Sequence, residues 1–311
     1  MNVITGGAGF IGSHLTSRLE KEDVVVYDSL VRGKRSIINL MEAGGKFDFV
    51  VGDVLDFEKL KETIKDGVDV IYHLAALPSH RLALTAPHDY AMVDLAGTAN
   101  VLEAARLCNP KPLVVFASSN KVYGKQECPW REDKLPQPEG PYAVAKWGSE
   151  KLCEMYNKYF DVPCVVLRYH HVAGARSNPD LVLSIFTEQA LKGEDLKVHG
   201  RFDMVNGFIP CSADYTHVDD AVRATILAKE KYDGFEIFNI ANKQLTFIRD
   251  MAEMVIEKTN SKSKIINVPM LSHETLKHHS DVSKAEEKLG FVAEIPVEEA
   301  IKDYIYWWTG V

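Results

Sequence analysis

The 311-residue chain contains no apolar run approaching a membrane span and no massed block of basic residues. A bilayer-crossing helix needs roughly 20 consecutive apolar residues, and a nucleic-acid surface needs clustered lysine and arginine. Here 36 Lys and Arg are outweighed by 44 Asp and Glu, a net charge of −8. Neither a membrane nor a nucleic acid is therefore expected as a partner. Cysteine is scarce as well: Cys108, Cys128, Cys153, Cys164 and Cys211 are odd in number, scattered, and never form a CxxC pair. That argues against a disulfide framework and against a metal site, and fits a reducing cytoplasm. Internal repeats and low-complexity segments are lacking too. The chain opens directly on an apolar strand, so no leader peptide is expected.

What is there is an alternation. Met1–Thr5, Val24–Tyr27, Phe47–Val51, Val68–Tyr72, Leu113–Ala117 and Cys164–Leu167 are short apolar runs separated by amphipathic stretches. Near-continuous apolar strands with helices between them are the pattern of βαβ units, which build a doubly wound parallel sheet. Long helices are expected over Asp89–Leu107 and Tyr142–Tyr159, and shorter ones over Asp180–Lys192 and Asp219–Lys231. From about Gly174 the chain is broken by Asn178-Pro179, Gly193, Gly200, Gly207 and Pro210. The fold class expected is thus α/β: a Rossmann domain over residues 1–173 and a smaller C-terminal α/β substrate lobe over 174–311. Phe235–Asn242 reads as a strand that returns to the main sheet. The terminal aromatics Tyr304, Tyr306, Trp307 and Trp308 read as packing for the last helix.

Thr5-Gly6-Gly7-Ala8-Gly9-Phe10-Ile11-Gly12 joins the first strand to a helix. Glycines in that position let the backbone approach a pyrophosphate, whose charge the helix N-terminus favours. Asp28, followed by Ser29, ends the second strand about twenty residues on, where a carboxylate accepts from an adenosine ribose. That favours NAD over NADP, although Arg32, Lys34 and Arg35 nearby are of the kind that accommodates a 2′-phosphate. Asp53, before Val54, suits either an adenine amino group or a helix N-cap.

Tyr142 and Lys146 stand four apart on one helical face. A phenol is a poor base at neutral pH, and a neighbouring ammonium stabilises its phenolate, so the pair suits removal of a proton from a sugar hydroxyl. Ser118 and Ser119 end the fifth apolar run, at the strand ends that face the ligand crevice; Ser119 is placed to bond the reacting oxygen, and one of the two serines suits a cap.

With these motifs in order, joined by His73-Leu74-Ala75-Ala76, Gly97-Thr98-Ala99-Asn100, Val122-Tyr123-Gly124, Arg168-Tyr169, Tyr215 to Asp220 and Asp281 to Ala285, the chain resembles the extended short-chain dehydrogenase/reductases of the nucleotide-sugar epimerase and dehydratase family. The resemblance runs essentially full length. It implies NAD lying near Leu74, Ala75, Ala76, Tyr142, Lys146, Tyr169 and Val172, a nucleotide sugar held by the C-terminal lobe, and a homodimer built on the two long helices. In family dehydratases the strand-end hydroxyl is followed by acids; Asn120 and Lys121 stand here, and neither replaces a carboxylate base. A UDP-glucose 4-epimerase-like activity, with Ser119, Tyr142 and Lys146 catalytic, is therefore the leading expectation.

Departures bear on the substrate. His170 and His171 replace the family's Phe-Asn, and both are expected to reach ligand or solvent, with Ser118 and Asn120 also on the substrate side. Ala213, and Lys277 with His278 and His279, stand where arginines are usual, and Asp94 where an asparagine is common beside the cofactor. Ser-Ser-Asn-Lys-Val-Tyr-Gly also resembles CDP-tyvelose 2-epimerases. Other readings are a 4,6-dehydratase or reductase, and a non-catalytic NAD-binding regulator or scaffold, which would be expected to lose the tyrosine or the lysine.

Overall fold

The computed structural model describes residues 1–232, 234–271 and 274–310, with His80 by its backbone alone. Its centre is a seven-stranded parallel sheet of β1 (Asn2–Thr5), β2 (Val24–Asp28), β3 (Asp48–Val51), β4 (Val70–His73), β5 (Leu113–Ser119), β6 (Cys164–Tyr169) and β7 (Phe235–Ile240). The spatial order is β7-β6-β5-β4-β1-β2-β3. The order reverses between β1 and β4, which opens a crevice at the carboxyl ends of the strands. Phe235–Ile240 does return to the main sheet, pairing in parallel with β6 from Phe235 opposite Cys164 to Ile240 opposite Tyr169.

Successive strand residues face opposite sides, and both sides are covered. Ile4, Val26, Tyr72, Val115 and Leu167 pack on one side with α1 (Phe10–Arg18) and α4 (Val218–Lys231). Val3, Val25, Ile71, Val114 and Val166 pack on the other with α2 (Gly97–Leu107) and α3 (Pro141–Phe160). The helix expected over Asp89–Leu107 is continuous but includes a π-helical stretch, Ala91–Ala96, ahead of α2.

A third core, including Leu183, Phe186, Val198, Met251, Val255, Ile301 and Tyr304, lies in the C-terminal region. The chain beyond residue 173 is nonetheless shared between cores, because α4, β7 and the helix Ser283–Leu289 complete the first one. Of the terminal aromatics, Tyr304 is buried, Trp307 donates to Glu42 beneath the Arg35 guanidinium, and Tyr306 is exposed.

One buried ion pair binds the sheet to α3. Arg168 on β6 and Glu150 on α3 are each 2% exposed and meet through two bonds, at 2.9 and 2.7 Å. Each is bonded further: Ser118 donates to Glu150, and Arg168 donates to the Tyr123 hydroxyl at 2.8 Å. Removing one partner of such a pair strands a buried charge. Arg168→Leu should therefore cost ~3–5 kcal/mol of stability, and Glu150→Leu combined with Arg168→Leu should cost less than the sum of the single changes. Urea unfolding of the three variants checks this; a cost below ~1 kcal/mol for Arg168→Leu, the range of an exposed pair, would show that the pair does not hold the sheet to the helix.

Candidate active site

A cavity of about 780 Å³ occupies the crevice and runs from the glycine turn to residues of the C-terminal region such as Lys197 and His199. Its first wall is backbone. Gly6 sits at φ +74°, and a Cβ there would lie 2.5 Å from the Ala75 nitrogen; one on Gly12 would lie 2.3 Å from the Gly6 carbonyl oxygen. These glycines are required by close backbone approach, and the channel they leave, with Gly9, Phe10 and Ile11 beside it, is the cradle a pyrophosphate needs. Asp28 holds the turn in place, accepting from Ala8 N at 3.0 Å and Leu30 N at 2.8 Å. Burial raises its carboxyl above the ordinary value, and those two backbone bonds oppose the rise. Ser29, Asp53 and Val54 line the same end. Asp53 is not the helix cap: Asp56 caps the helix Phe57–Thr63, while Asp53 accepts from Leu55 N within its own turn. Arg32 donates to Asn178 and Arg35 to the Ser177 carbonyl, so two of the three nearby basic residues are engaged by the protein itself.

His73 joins three elements behind this wall, hydrogen-bonded with Thr5 at 2.7 Å and Thr98 at 3.0 Å. Burial, with Lys146 adding to it, pushes its pKa down to about 3, so the imidazole is neutral and serves to fix Leu74, Ala75 and Ala76 against the cavity.

Tyr142 and Lys146 of α3 and Ser119 at the end of β5 meet in the middle of the cavity. Lys146 is buried, donates to the Ala117 carbonyl at 2.9 Å, and lies 6.0 Å from the Tyr142 ring. Burial pushes its ammonium below the ordinary value and the Asp94 charge opposes this. Burial raises the Tyr142 phenol, the Asp94 charge adds to the rise, and a hydrogen bond with Ser119 opposes it. Ser119 caps the short 3₁₀ turn Asn120–Tyr123 only through a long 3.3 Å bond from Lys121 N. Its hydroxyl also makes a long 3.5 Å bond to Asn120 Oδ1 and faces the Tyr142 phenol at the cavity surface. Tyr169 and Val172 also line the cavity, with the Tyr169 hydroxyl 2.6 Å from Thr225.

The substrate-side expectations divide. Asn120 and His171 line the cavity, and Asn120 Nδ2 is buried without a hydrogen-bond partner. His170 does not reach it. That side chain is wholly buried beside Asp214 at 3.3 Å and the Ser280 hydroxyl at 2.8 Å, because neighbouring residues leaving a strand point to opposite sides. Ser118 borders the cavity, but its hydroxyl is committed to Glu150 and is not offered to a ligand. The sequence reading missed Lys197, His199, Cys211 and Glu274 as lining residues, while His278, which it noted where an arginine is usual, does line the cavity. Those four come from strands and loops beyond residue 173 that carry no motif. Lys121 also lines the cavity, and its place two residues after Ser119 was a signal that could have found it. Among the described residues no group of three or more His, Cys, Asp or Glu is arranged to hold a metal ion. No helix there is long and apolar enough to cross a membrane.

A doubly wound fold with a glycine cradle and a Ser-Tyr-Lys set in one crevice defines a nicotinamide-dependent enzyme of the Rossmann class. The sequence profile of the NAD dependent epimerase/dehydratase family matches residues 2–241, and the chain belongs to that family. It is 31% identical to a UDP-N-acetyl-alpha-D-glucosaminuronate decarboxylase of Bacillus cytotoxicus, over 99% of this chain and 98% of that one. Among solved structures it is similar to the UDP-glucose 4-epimerase of Thermotoga maritima with UDP-glucose, at 30% identity and a TM-score of 0.87, covering 100% and 99% of the two chains. The UDP-glucuronic acid 4-epimerase of Bacillus cereus in complex with UDP-glucuronic acid and NAD is also similar, at 29% identity and a TM-score of 0.86, covering 99% and 98%. The enzyme is NAD-dependent and acts on nucleotide sugars.

Asp94, 1% exposed, accepts from Leu77 N at 2.7 Å through one oxygen, while the other has no partner. Burial raises its pKa to about 6, against the opposing charge of Lys146. The unfolded chain loses this proton near pH 4 and the folded protein near pH 6, so stability falls as pH rises between them and stays lower above. Asp94→Asn keeps the acceptor for Leu77 and removes the titration. It should gain on the order of 2–3 kcal/mol relative to wild type between pH 4 and pH 7.5. Denaturant titrations at both pH values test this, and an unchanged difference between the two proteins would show that Asp94 does not titrate in that window.

Proposed function

We propose that the protein is a UDP-sugar 4-epimerase that interconverts a gluco/galacto pair by transient oxidation at C4. The observation that carries this reading is the meeting of Ser119, Tyr142 and Lys146 in one cavity whose next two strand-end positions, Asn120 and Lys121, hold no acid. Elimination of water needs a carboxyl at those positions, and epimerisation does not. Similarity to UDP-glucose and UDP-glucuronic acid 4-epimerases supports the same reading.

NAD, when bound along the glycine cradle, supplies the reversible two-electron acceptor and a positive charge that favours the phenolate. Ser119 holds the C4 hydroxyl, and Tyr142 takes its proton as the C4 hydrogen leaves. Lys146, anchored on the Ala117 carbonyl, lowers the cost of the phenolate, which burial and Asp94 otherwise raise. The resulting 4-ketone turns its other face before the hydrogen returns, and Tyr142 gives the proton back. A substrate lobe within residues 174–311, a cytoplasmic location suited to five unpaired cysteines, and a homodimer are part of this reading. Met92, Leu107 and Val144, exposed on the π-helical stretch and on α2 and α3, are the side chains such a dimer would cover.

Purified protein given UDP sugars without added cofactor, followed by NMR, should interconvert one C4 pair. Retained nicotinamide with every UDP sugar unchanged would sink the UDP assignment and favour CDP sugars epimerised at C2; net consumption of NADH would indicate a reductase. Tyr142→Phe should lower kcat by ~10²–10⁴ while UDP binding stays within about threefold, a shift small beside the tenfold step of 1.4 kcal/mol. A comparable loss of binding would mean that the phenol holds substrate and does not move its proton.

A further inference from the structure

The substrate end of the cavity holds an ammonium that makes no direct ion pair among the described residues. Lys121 is half-buried and lines the cavity, and no hydrogen bond or ion pair to its Nζ is made among the described residues. Glu274, whose charge reaches it, is engaged elsewhere, with His199 at 2.8 Å and Leu271 N at 2.6 Å. Burial pushes the Lys121 pKa down to about 8, and the Glu274 charge opposes that shift only in part. Beside it His171 and His278 are hydrogen-bonded at 2.6 Å with their rings stacked. His171 is held at φ +34°, in a region that non-glycine residues seldom occupy. The unpartnered Asn120 Nδ2 precedes Lys121 in the chain. Ammonium, amide and imidazoles are therefore assembled on one wall, and an anion is what they fit.

We infer that the sugar turned over by this enzyme carries a carboxylate at C6, a hexuronic acid, and that Lys121 binds it with Asn120 and the His171–His278 pair alongside. The inference rests on the C4 reading above. If Ser119 and Tyr142 hold the C4 oxygen, the C6 group hangs from the adjacent carbon, C5, whereas the diphosphate leaves from C1 across the ring. Lys121 lies two residues beyond Ser119, in the 3₁₀ turn that Ser119 caps, and in this reading it meets the sugar on the C5–C6 side. A neutral hydroxymethyl group there would leave the ammonium desolvated and unpaired, whereas a carboxylate supplies the missing charge.

Binding and turnover of UDP-glucuronate, UDP-glucose and UDP, on wild type, Lys121→Met and Lys121→Arg, test this. Wild type should bind UDP-glucuronate at least about 30-fold more tightly than UDP-glucose and show a kcat/KM preference of about 100-fold, the scale of a buried charge contact. Lys121→Met should bring both ratios to within about threefold of unity, Lys121→Arg should restore most of the preference, and UDP alone should bind the variants as it does wild type. Thermal unfolding confirms that each variant is folded. Equal wild-type affinity for the two sugars would overturn the inference. So would a loss of UDP binding in Lys121→Met equal to its loss of UDP-glucuronate binding, because Lys121 would then be a diphosphate contact. Calorimetric preference for the uronate without turnover at C4 would instead defeat the C4 reading and leave the carboxylate contact standing.

Discussion

The Glu150–Arg168 pair is the constraint on which the site depends. Tyr142, Lys146 and Glu150 follow one another at intervals of four along one stripe of α3, so fixing Glu150 fixes the height and rotation of the two residues above it. Glu150 takes Arg168 from β6 and Ser118 from β5, the strands on which Tyr169 and Ser119 are the next residues. The phenol, the ammonium and the hydroxyl that the proposed mechanism brings to one substrate oxygen are thus referenced to a single buried carboxylate. The network extends further: the Tyr123 hydroxyl accepts from Arg168 and donates to Asn239 at 2.8 Å, and Asn239 donates to the Trp130 and Asp281 carbonyls, each at 3.1 Å. Arg168 and Glu150 therefore also govern where the last strand of the sheet and the start of the C-terminal helices lie.

The same need for satisfied buried charge distinguishes the structural residues from those that face ligand. His73, His170, Glu150, Arg168 and Asp214 are buried and fully engaged with protein partners. Asn120, Lys121 and one oxygen of Asp94 are not. Unmet valences of this kind are costly in a folded protein; others occur elsewhere, at Tyr72, Trp147 and Thr187 for example, but those of Asn120, Lys121 and Asp94 lie beside Ser119, Tyr142 and Lys146. Asp94 is the exception in kind: it approaches Lys146 and Tyr142 electrostatically from behind and is not a lining residue, so its charge tunes the pair without touching substrate.

Much of the fold and of the cofactor end was legible because those signals are local. Apolar runs and the glycine turn report strand and backbone geometry within a few residues, and the Tyr142–Lys146 spacing reports a shared helical face. The substrate end was read less well because its wall is assembled from distant segments. His170 and His171 are adjacent and chemically identical, yet one meets Asp214 and the other the cavity; only the path of the chain after β6 decides which. Ser118 and Ser119 divide in the same way. Asp53 and Asp56 both suit a helix cap, and three residues of register assign it to Asp56. Residue 173 marks the change in composition, but the core of the large sheet takes back α4, β7 and the helix Ser283–Leu289, since a sheet with one bare face would expose its apolar strands.

This division also explains how one chemistry can be kept while the substrate changes. The groups proposed to move the proton are fixed by α3 and by strands in the middle of the sheet, where a shift would break the Glu150–Arg168 network. The groups that meet the far parts of the sugar nucleotide come from the 3₁₀ turn after β5, the turn after β6, and the strands Leu196–Asp203, Ser212–Ala213 and Lys277–His278. Substitutions there alter charge and shape without moving the catalytic set. His171, Lys121 and His278 are of this second kind. Among the described residues the Lys121 and His171 side chains make no hydrogen bond to Glu150 or Arg168, whereas the His278 ring lies 5.3 Å from that of Trp130, so most of the proposed recognition wall can differ from that of enzymes with the same catalytic pair without disturbing the constraint that holds Tyr142 in place.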